Sequence, residues 1–302
     1  MKARDLTDLL LLAAIWGGSF LFMRMVVPVF GPVAMAFVRV SGATLVLLPL
    51  LLLRGEAPLL RRHWRALVVV GLCNSALPFM LFGYAAYTLP AGLAAIFNAA
   101  TPLCTALIAW AWLGEPLTRW RSLGLALGFA GVVGLALNKS LSASGLQAVR
   151  FDAPAALAIG ACLLGTLLYG LAANFVKRHL KDQPAMVMAV GTQATASAAL
   201  LLPALLTWPA LNPSPRDWAL AGALAVLASG LAYILYFRLM TRVGPTQASS
   251  VTFLVPVFAS AWGALVLGES VTLPMLLGGA VILAGTALVL GLLPRRPRPA
   301  TA

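Results

Sequence analysis

Pro102–Gly131 reads PLCTALIAWAWLGEPLTRWRSLGLALGFAG, and Pro256–Gly285 reads PVFASAWGALVLGESVTLPMLLGGAVILAG. Pro102, Gly114, Glu115, Thr118, Gly124, Ala130 and Gly131 recur 154 residues later as Pro256, Gly268, Glu269, Thr272, Gly278, Ala284 and Gly285, with no gap. Upstream, the same offset joins Ser75, Leu77, Leu81 and Ala94 to Ser229, Leu231, Leu235 and Ala248. Apolar helices share Leu and Ala by composition alone. A matched Pro followed by a matched Gly-Glu-x-x-Thr turn in one frame needs another cause, and the chain is an internal duplication.

The 302 residues are 61% hydrophobic and 10% charged, with a mean hydropathy of +0.96. Many apolar runs reach about twenty residues, the length that crosses a bilayer's hydrocarbon core. Lipid offers no partner to an exposed peptide group, so a spanning segment is a helix or part of a closed barrel. Continuous Leu/Ala/Val runs without period-two alternation select helices. The sequence therefore predicts an all-α membrane protein of ten spans: Leu9–Val26, Pro32–Leu53, Ala66–Thr88, Gly92–Leu113, Arg121–Leu137, Pro154–Val176, Ala185–Thr207, Trp218–Thr241, Thr246–Leu267 and Leu273–Leu293. Pro28, Gly31-Pro32, the basic stretch from Arg54 to Arg65, Gly114-Glu115-Pro116 and Pro209 to Pro215 mark breaks between them. The apolar run at the N-terminus continues past Trp16 without a small-x-small cleavage site and reads as a retained first helix. Cys73, Cys104 and Cys162 fall inside spans at no metal-binding spacing, and read as small core hydrophobes.

Cytoplasmic loops collect Lys and Arg. With the N-terminus inside, sixteen of the 21 cations lie on the cytoplasmic side, against Arg24, Lys139, Arg150 and Arg216 on the other, with Arg39 inside a helix. Both termini are then cytoplasmic, in a multi-pass protein of the cell's inner (plasma) membrane. The net charge of +13 records this topology and an affinity for anionic headgroups, and is too scattered for nucleic-acid binding. Residues 1–138 form the first repeat, 139–153 a linker and 154–302 the second. Each repeat holds five helices, an odd number, so the second enters the membrane from the opposite face. Such a five-plus-five inverted repeat is an arrangement that supports alternating access in a transporter.

The paired stretches, Leu113-Gly-Glu-Pro-Leu-Thr118 and Leu267-Gly-Glu-Ser-Val-Thr272, together with Trp16-Gly-Gly-Ser-Phe20, resemble the EamA-type repeats of the drug/metabolite transporter superfamily. The resemblance covers nearly the whole chain. It implies a central cavity lined by the first, third, fourth, sixth, eighth and ninth helices. Relatives of this kind include exporters of amino acids and other metabolites.

Polar groups inside the spans are the candidates for that cavity. Asn98, Thr101 and Thr105 share a helix face next to Pro102, whose missing N–H loosens the backbone ladder. Ser249, Ser250 and Thr252 sit near Pro256 in the second copy. Trp16, Tyr169 and Tyr233 could wall a small organic molecule, although membrane aromatics also serve packing and interface anchoring. Arg39 is costly at such depth, so it must snorkel, pair or recognise a carboxylate-bearing substrate. Glu115 and Glu269 read as contacts at helix ends. Gly124, Gly128, Gly131 and Gly134 read as a close helix-packing stripe.

None of the eight acidic residues is mid-span. A membrane carboxylate of the kind that trades protons for cationic drugs in small multidrug relatives is therefore missing. His63 and His179 lie in loops, and no Gly-x-x-x-x-Gly-Lys-Ser/Thr loop exists for ATP. No cofactor or metal site is expected. The expected function is secondary transport, with efflux of small amino-acid-like metabolites ahead of export of drugs or other organic solutes. A membrane-embedded enzyme or receptor is the reading from another class, and no nucleophile, metal or base converges to support the enzyme.

Overall fold

A computed structural model describes residues 3–137, 153–209, 212–243, 248 and 250–292. Among these residues the chain is helical, with no strand. The helices are α1 (Ala3–Leu53), α2 (Ala57–Gly71), α3 (Leu77–Ala85), α4 (Ala91–Asn98), α5 (Thr101–Leu113), α6 (Arg119–Ala136), α7 (Ala153–His179), α8 (Ala185–Leu206), α9 (Pro215–Ala225), α10 (Ala232–Val243), α11 (Val251–Leu267) and α12 (Leu273–Leu290). By length and composition, seven stretches of the described residues can cross a membrane: Ala3–Leu53, Ala57–Ala85, Ala91–Leu113, Ala153–His179, Ala185–Leu206, Pro215–Tyr236 and Leu273–Leu290. Val251–Leu267 is a shorter apolar helix. The protein is an integral, multi-pass membrane protein.

Three boundaries differ from the sequence reading. The first two spans run on as α1, whose one non-helical residue is Gly31 at φ 70° and ψ 165°. Only glycine adopts that conformation readily, and Pro28 and Pro32 on either side loosen the ladder, so the break is a sharp kink without a loop. The basic stretch read as a connection is helical from Ala57, where a proline in the first turn starts α2. Arg61, Arg62 and Arg65 are good helix formers and leave their heads exposed. The fourth span is divided: α4 ends at Asn98, and α5 starts at Thr101 with Pro102 in its first turn. Pro256 instead lies inside α11.

Local irregularities repeat at the spacing of the sequence repeat. A π-helical turn spans Leu72–Ala76 before α3, and another spans Val226–Leu231 before α10. Gly114 and Gly268 end their helices in the left-handed region, at φ 67° and 65°, where a Cβ would clash with the following carbonyl. The next residue then closes each cap, Glu115 N–H donating to the Ala109 carbonyl at 3.2 Å and Glu269 N–H to the Gly263 carbonyl at 3.1 Å. Thr118 and Thr272 cap the helices that follow, accepting from the backbone N–H of Arg121 and Met275. A hydroxyl at that position satisfies a helix-start N–H that lipid cannot.

Packing crosses between the halves: α1 lies against α8, α9 and α11, α7 against α3 and α5, α2 against α8, and α6 against α12. Small residues set the closest approaches. A Cβ on Gly17 would meet the Ala259 backbone N at 2.8 Å, and one on Gly170 would meet that of Thr105 at 2.8 Å. Gly124, Gly128 and Gly131 are in close contact as the sequence predicts, but beside Gly134 there is open space. Cys104 and Cys162 are buried, Cys73 is half-buried, and all three are free thiols.

Candidate functional site

Arg39 sits eight residues past the Gly31 kink, in the second limb of α1. Its side chain does not reach an interface, and the residue is 6% exposed. Its Nε donates to Ser229 Oγ at 2.9 Å, its Nη1 to Met23 Sδ at 3.7 Å, and its Cζ lies 3.7 Å from the centroid of the Phe79 ring. The Tyr169 and Tyr233 hydroxyls lie close to the guanidinium.

The second π-helical turn supplies Ser229. A π turn inserts one extra residue and re-aims the side chains around it. Ser75 occupies the corresponding place in the first π turn and is fully buried, with no hydrogen-bond partner for its hydroxyl. Proline at position 78 removes the N–H that would bond the Asn74 carbonyl in a regular helix. Tyr233 interacts with the side chains of Asn74 and Gln193. Gln193 is fully buried, and neither amide atom makes a hydrogen bond of good geometry.

Aromatic rings surround this polar group. Trp16 meets Tyr233 edge-on at 6.5 Å between centroids and Tyr236 at 5.3 Å, and its Nε1 donates to the Ala228 carbonyl at 3.2 Å. Tyr169 stacks on Phe82 at 6.1 Å, which in turn meets Phe20 edge-on. The fold thus gathers Trp16, Arg39, Tyr169 and Tyr233, four of the residues singled out in the sequence. It adds Asn74, Phe79, Gln193 and Ser229, which were not. The signal for Ser229 was its match with Ser75, two hydroxyls at equivalent places in apolar spans.

Asn98, Thr101 and Thr105 are half-buried at the break between α4 and α5. Thr101 Oγ1 donates to the Asn98 carbonyl and Thr105 Oγ1 to the Thr101 carbonyl. The Thr105 carbonyl accepts from Asn174 Nδ2 at 2.9 Å, fastening α5 to α7. Among the described residues no hydrogen bond or ion pair ties these three to Arg39. Ser250 and Thr252 are half-buried at the start of α11, and Ser249 lies outside the described residues.

The two repeat glutamates engage cations across the halves. Glu269 Oε1 pairs with Arg24 Nε at 2.7 Å and its Oε2 accepts from Ala91 N–H at 2.8 Å, while Arg24 Nη1 donates to the Ala86 carbonyl at 2.6 Å. Glu115 pairs with Lys177, and more distantly with Arg121 at 3.8 Å. The Arg24–Glu269 side chains are 17% and 11% exposed, against 59% and 29% for Lys177 and Glu115. At the N-terminal end of α1, Asp8 pairs with Arg238 at 2.6 Å and with Arg242 at 3.3 Å.

Comparison with known proteins agrees with this architecture. The chain is 28% identical over 290 residues to YedA of Escherichia coli K12, an uncharacterized inner membrane transporter, covering 94% of this chain and 90% of that one. It is 28% identical over 290 residues to a chloroplastic WAT1-related protein of Arabidopsis thaliana, covering 91% of this chain but 66% of the plant protein. It is 26% identical over 279 residues to PecM of Dickeya dadantii, covering 91% and 88%. A crystal structure of another protein superposes with a TM-score of 0.64 over 95% of this chain and 96% of its own, and at 19% identity it shows the fold alone. The sequence profile of the EamA-like transporter family matches residues 8–137 and 156–291, one match to each half. The chain therefore belongs to the EamA-like transporter family of the drug/metabolite transporter superfamily.

Proposed function

We propose that this protein is a secondary transporter that exports small, amino-acid-like organic solutes by alternating access. Ten spans fit the described helices when α1 is divided at Gly31 and α6 and α11 are counted as crossings. Residues 1–138 and 154–302 are then inverted repeats joined by the linker 139–153, and both termini are cytoplasmic. The observation that carries the reading is the pair of cross-half ion contacts, Arg24–Glu269 and Lys177–Glu115. In an inverted repeat these equivalent contacts fall on opposite membrane faces. One is shielded and the other open, the asymmetry expected of a carrier shut at one end.

The solute path in this reading passes Trp16, Arg39, Tyr169 and Tyr233. The polar break at Asn98, Thr101 and Thr105, with its counterpart at Ser249, Ser250 and Thr252, lines the rest. Pro102 and Pro256 loosen the helices there, and Glu115 and Glu269 hold the ends. The partners are a small-molecule substrate and the lipid bilayer.

Topology is the first test. In a background with alanine at positions 73, 104 and 162, single cysteines replacing Arg62 and Lys181 should react with an impermeant thiol reagent from the cytoplasmic side, and one replacing Arg216 from the other. Labelling of Arg62→Cys and Lys181→Cys from opposite faces ends the inverted ten-span arrangement. Flux is the second test: proteoliposomes loaded with an amino acid should show counterflow of its labelled form, and binding without counterflow favours a receptor.

Coupling follows from where the carboxylates sit. Asp8, Glu115 and Glu269 are engaged by cations at helix ends, which leaves no mid-span acid to carry a proton. Transport should be uniport or exchange, and a pH gradient alone should not concentrate a solute that cannot itself titrate. Accumulation of such a solute several-fold above equilibrium would contradict this.

A further inference from the structure

We propose that Arg39 is the anchor for a single carboxylate group, so that the solute carried is a small monocarboxylate bound between α1, the π-helical turns and α8. This rests on the transporter reading above and narrows its substrate class.

The charge count is the first argument. Arg39 is the one buried cation among the described residues, and none of their carboxylates lies within ion-pair distance of it. A guanidinium carries five N–H donors in a planar fork. Here one reaches an oxygen, on Ser229, and one a sulfur, on Met23. The Phe79 ring covers a face of the group but accepts no N–H bond. Beyond the cation–π attraction of that ring, a buried cation so placed has no anionic partner to offset its desolvation. A carboxylate, accepting two parallel N–H bonds from the fork, supplies that compensation. One buried positive charge matches a monoanion and leaves a doubly charged phosphate ester with an uncompensated charge in the membrane.

The second argument is independent of the charge. Gln193 presents a buried donor and acceptor without good hydrogen bonds, next to the Tyr233 hydroxyl that is itself near Arg39. Ser75, at the matching π turn, adds a buried hydroxyl without a hydrogen-bond partner. Buried polar groups are rarely left so unless a ligand or water completes them. An amide oxygen with phenolic and seryl hydroxyls suits the amino or hydroxyl substituent of a short carboxylic acid. Trp16 and Tyr169 are half-buried aromatic walls for its carbon skeleton. Arg39 itself is closed off at 6% exposure, so a ligand reaches it through the helix movement that alternating access provides.

Stability separates this role from a structural one. A structural arginine loses stability on removal, whereas an uncompensated one is tolerated better as an apolar residue. The experiment uses the full chain in nanodiscs, with leucine, phenylalanine, pyruvate and benzoate as probes, each beside its primary amide, and inorganic phosphate as control. Thermal melting and proteoliposome counterflow are read in parallel. At least one acid should raise the melting temperature while its amide and phosphate do not. Arg39→Leu should melt at or above the wild-type temperature without ligand and lose the acid's effect. Arg39→Lys keeps a point charge but not the fork; it should fold and bind the acid about tenfold more weakly. It serves as the readout if the leucine variant fails to insert. The proposal is overturned if no acid shifts melting, if amides act like acids, or if both variants bind normally. It is also overturned if Arg39→Leu and Arg39→Lys both melt well below wild type. An acid that binds through Arg39 without counterflow sinks the transporter reading and leaves the site. Counterflow of neutral or cationic solutes with no acid bound sinks the site and leaves the transporter.

Discussion

Gly285→Ala should destabilise the protein by ~2 kcal/mol, although alanine is the better helix former. In an open helix position the change gains up to about 1 kcal/mol. At Gly285 the new Cβ would lie 2.5 Å from the Gly128 backbone N and 2.6 Å from the Gly124 carbonyl oxygen. Those are main-chain atoms of α6, so no rotamer change relieves the contact. The helices α6 and α12 must separate, losing close packing along their whole crossing, and overpacking of this kind costs about 1–3 kcal/mol. Gly134→Ala is the control, because nothing lies within 4 Å of its added Cβ. It should leave stability unchanged or raise it by up to about 1 kcal/mol. Thermal melting of both variants in one detergent decides the matter. Equal melting temperatures would mean that α6 and α12 do not cross as closely as described.

Glu269→Gln should cost ~2 kcal/mol, and Glu115→Gln less than ~1 kcal/mol. Breaking one partner of a buried ion pair strands the other, a loss of about 3–5 kcal/mol when fully buried; at 17% and 11% exposure the Arg24–Glu269 pair retains part of that. A glutamine accepts through one atom and donates through the other. It cannot receive both Arg24 Nε and Ala91 N–H as Glu269 does, and one donor is left facing another. The Lys177–Glu115 pair, at 59% and 29% exposure, is in the range where surface pairs are worth about 0–1 kcal/mol. Arg24→Gln combined with Glu269→Gln should recover part of the loss, and the double-mutant cycle measures the coupling. A functional consequence accompanies it. Freed of this tie, the Arg24 end should open more often, and a cysteine replacing the fully buried Leu89 nearby should react faster with an impermeant reagent. Equal costs for the two glutamates, or an unchanged Leu89→Cys rate, would remove the asymmetry on which the closed-end reading depends.

The residues that determined the architecture act locally. Gly114 and Gly268 stop their helices through their own backbone freedom, Thr118 and Thr272 cap the next ones three residues away, and both effects are legible wherever those residues fall in frame. The apolar runs identified helices because lipid leaves a peptide group no other partner. The duplication appeared because the repeat register is a property of the chain itself. Tertiary structure decided what depends on distant partners. Arg39 meets Ser229 across 190 residues, and Arg24 meets Glu269 across 245, so no local rule indicated that the arginine would be sealed without a carboxylate or which cation each glutamate would take. Gly31 could be read as a break, but whether it led to a loop or a kink depended on the packing of both limbs of α1. The threonines of the fourth span were legible as a polar face, but the acceptors of their hydroxyls were not: Thr101 and Thr105 donate to carbonyls three and four residues earlier. A helix in an apolar surrounding offers those carbonyls at closer range than any other acceptor, whereas a guanidinium reaches past its own turn and must find partners elsewhere.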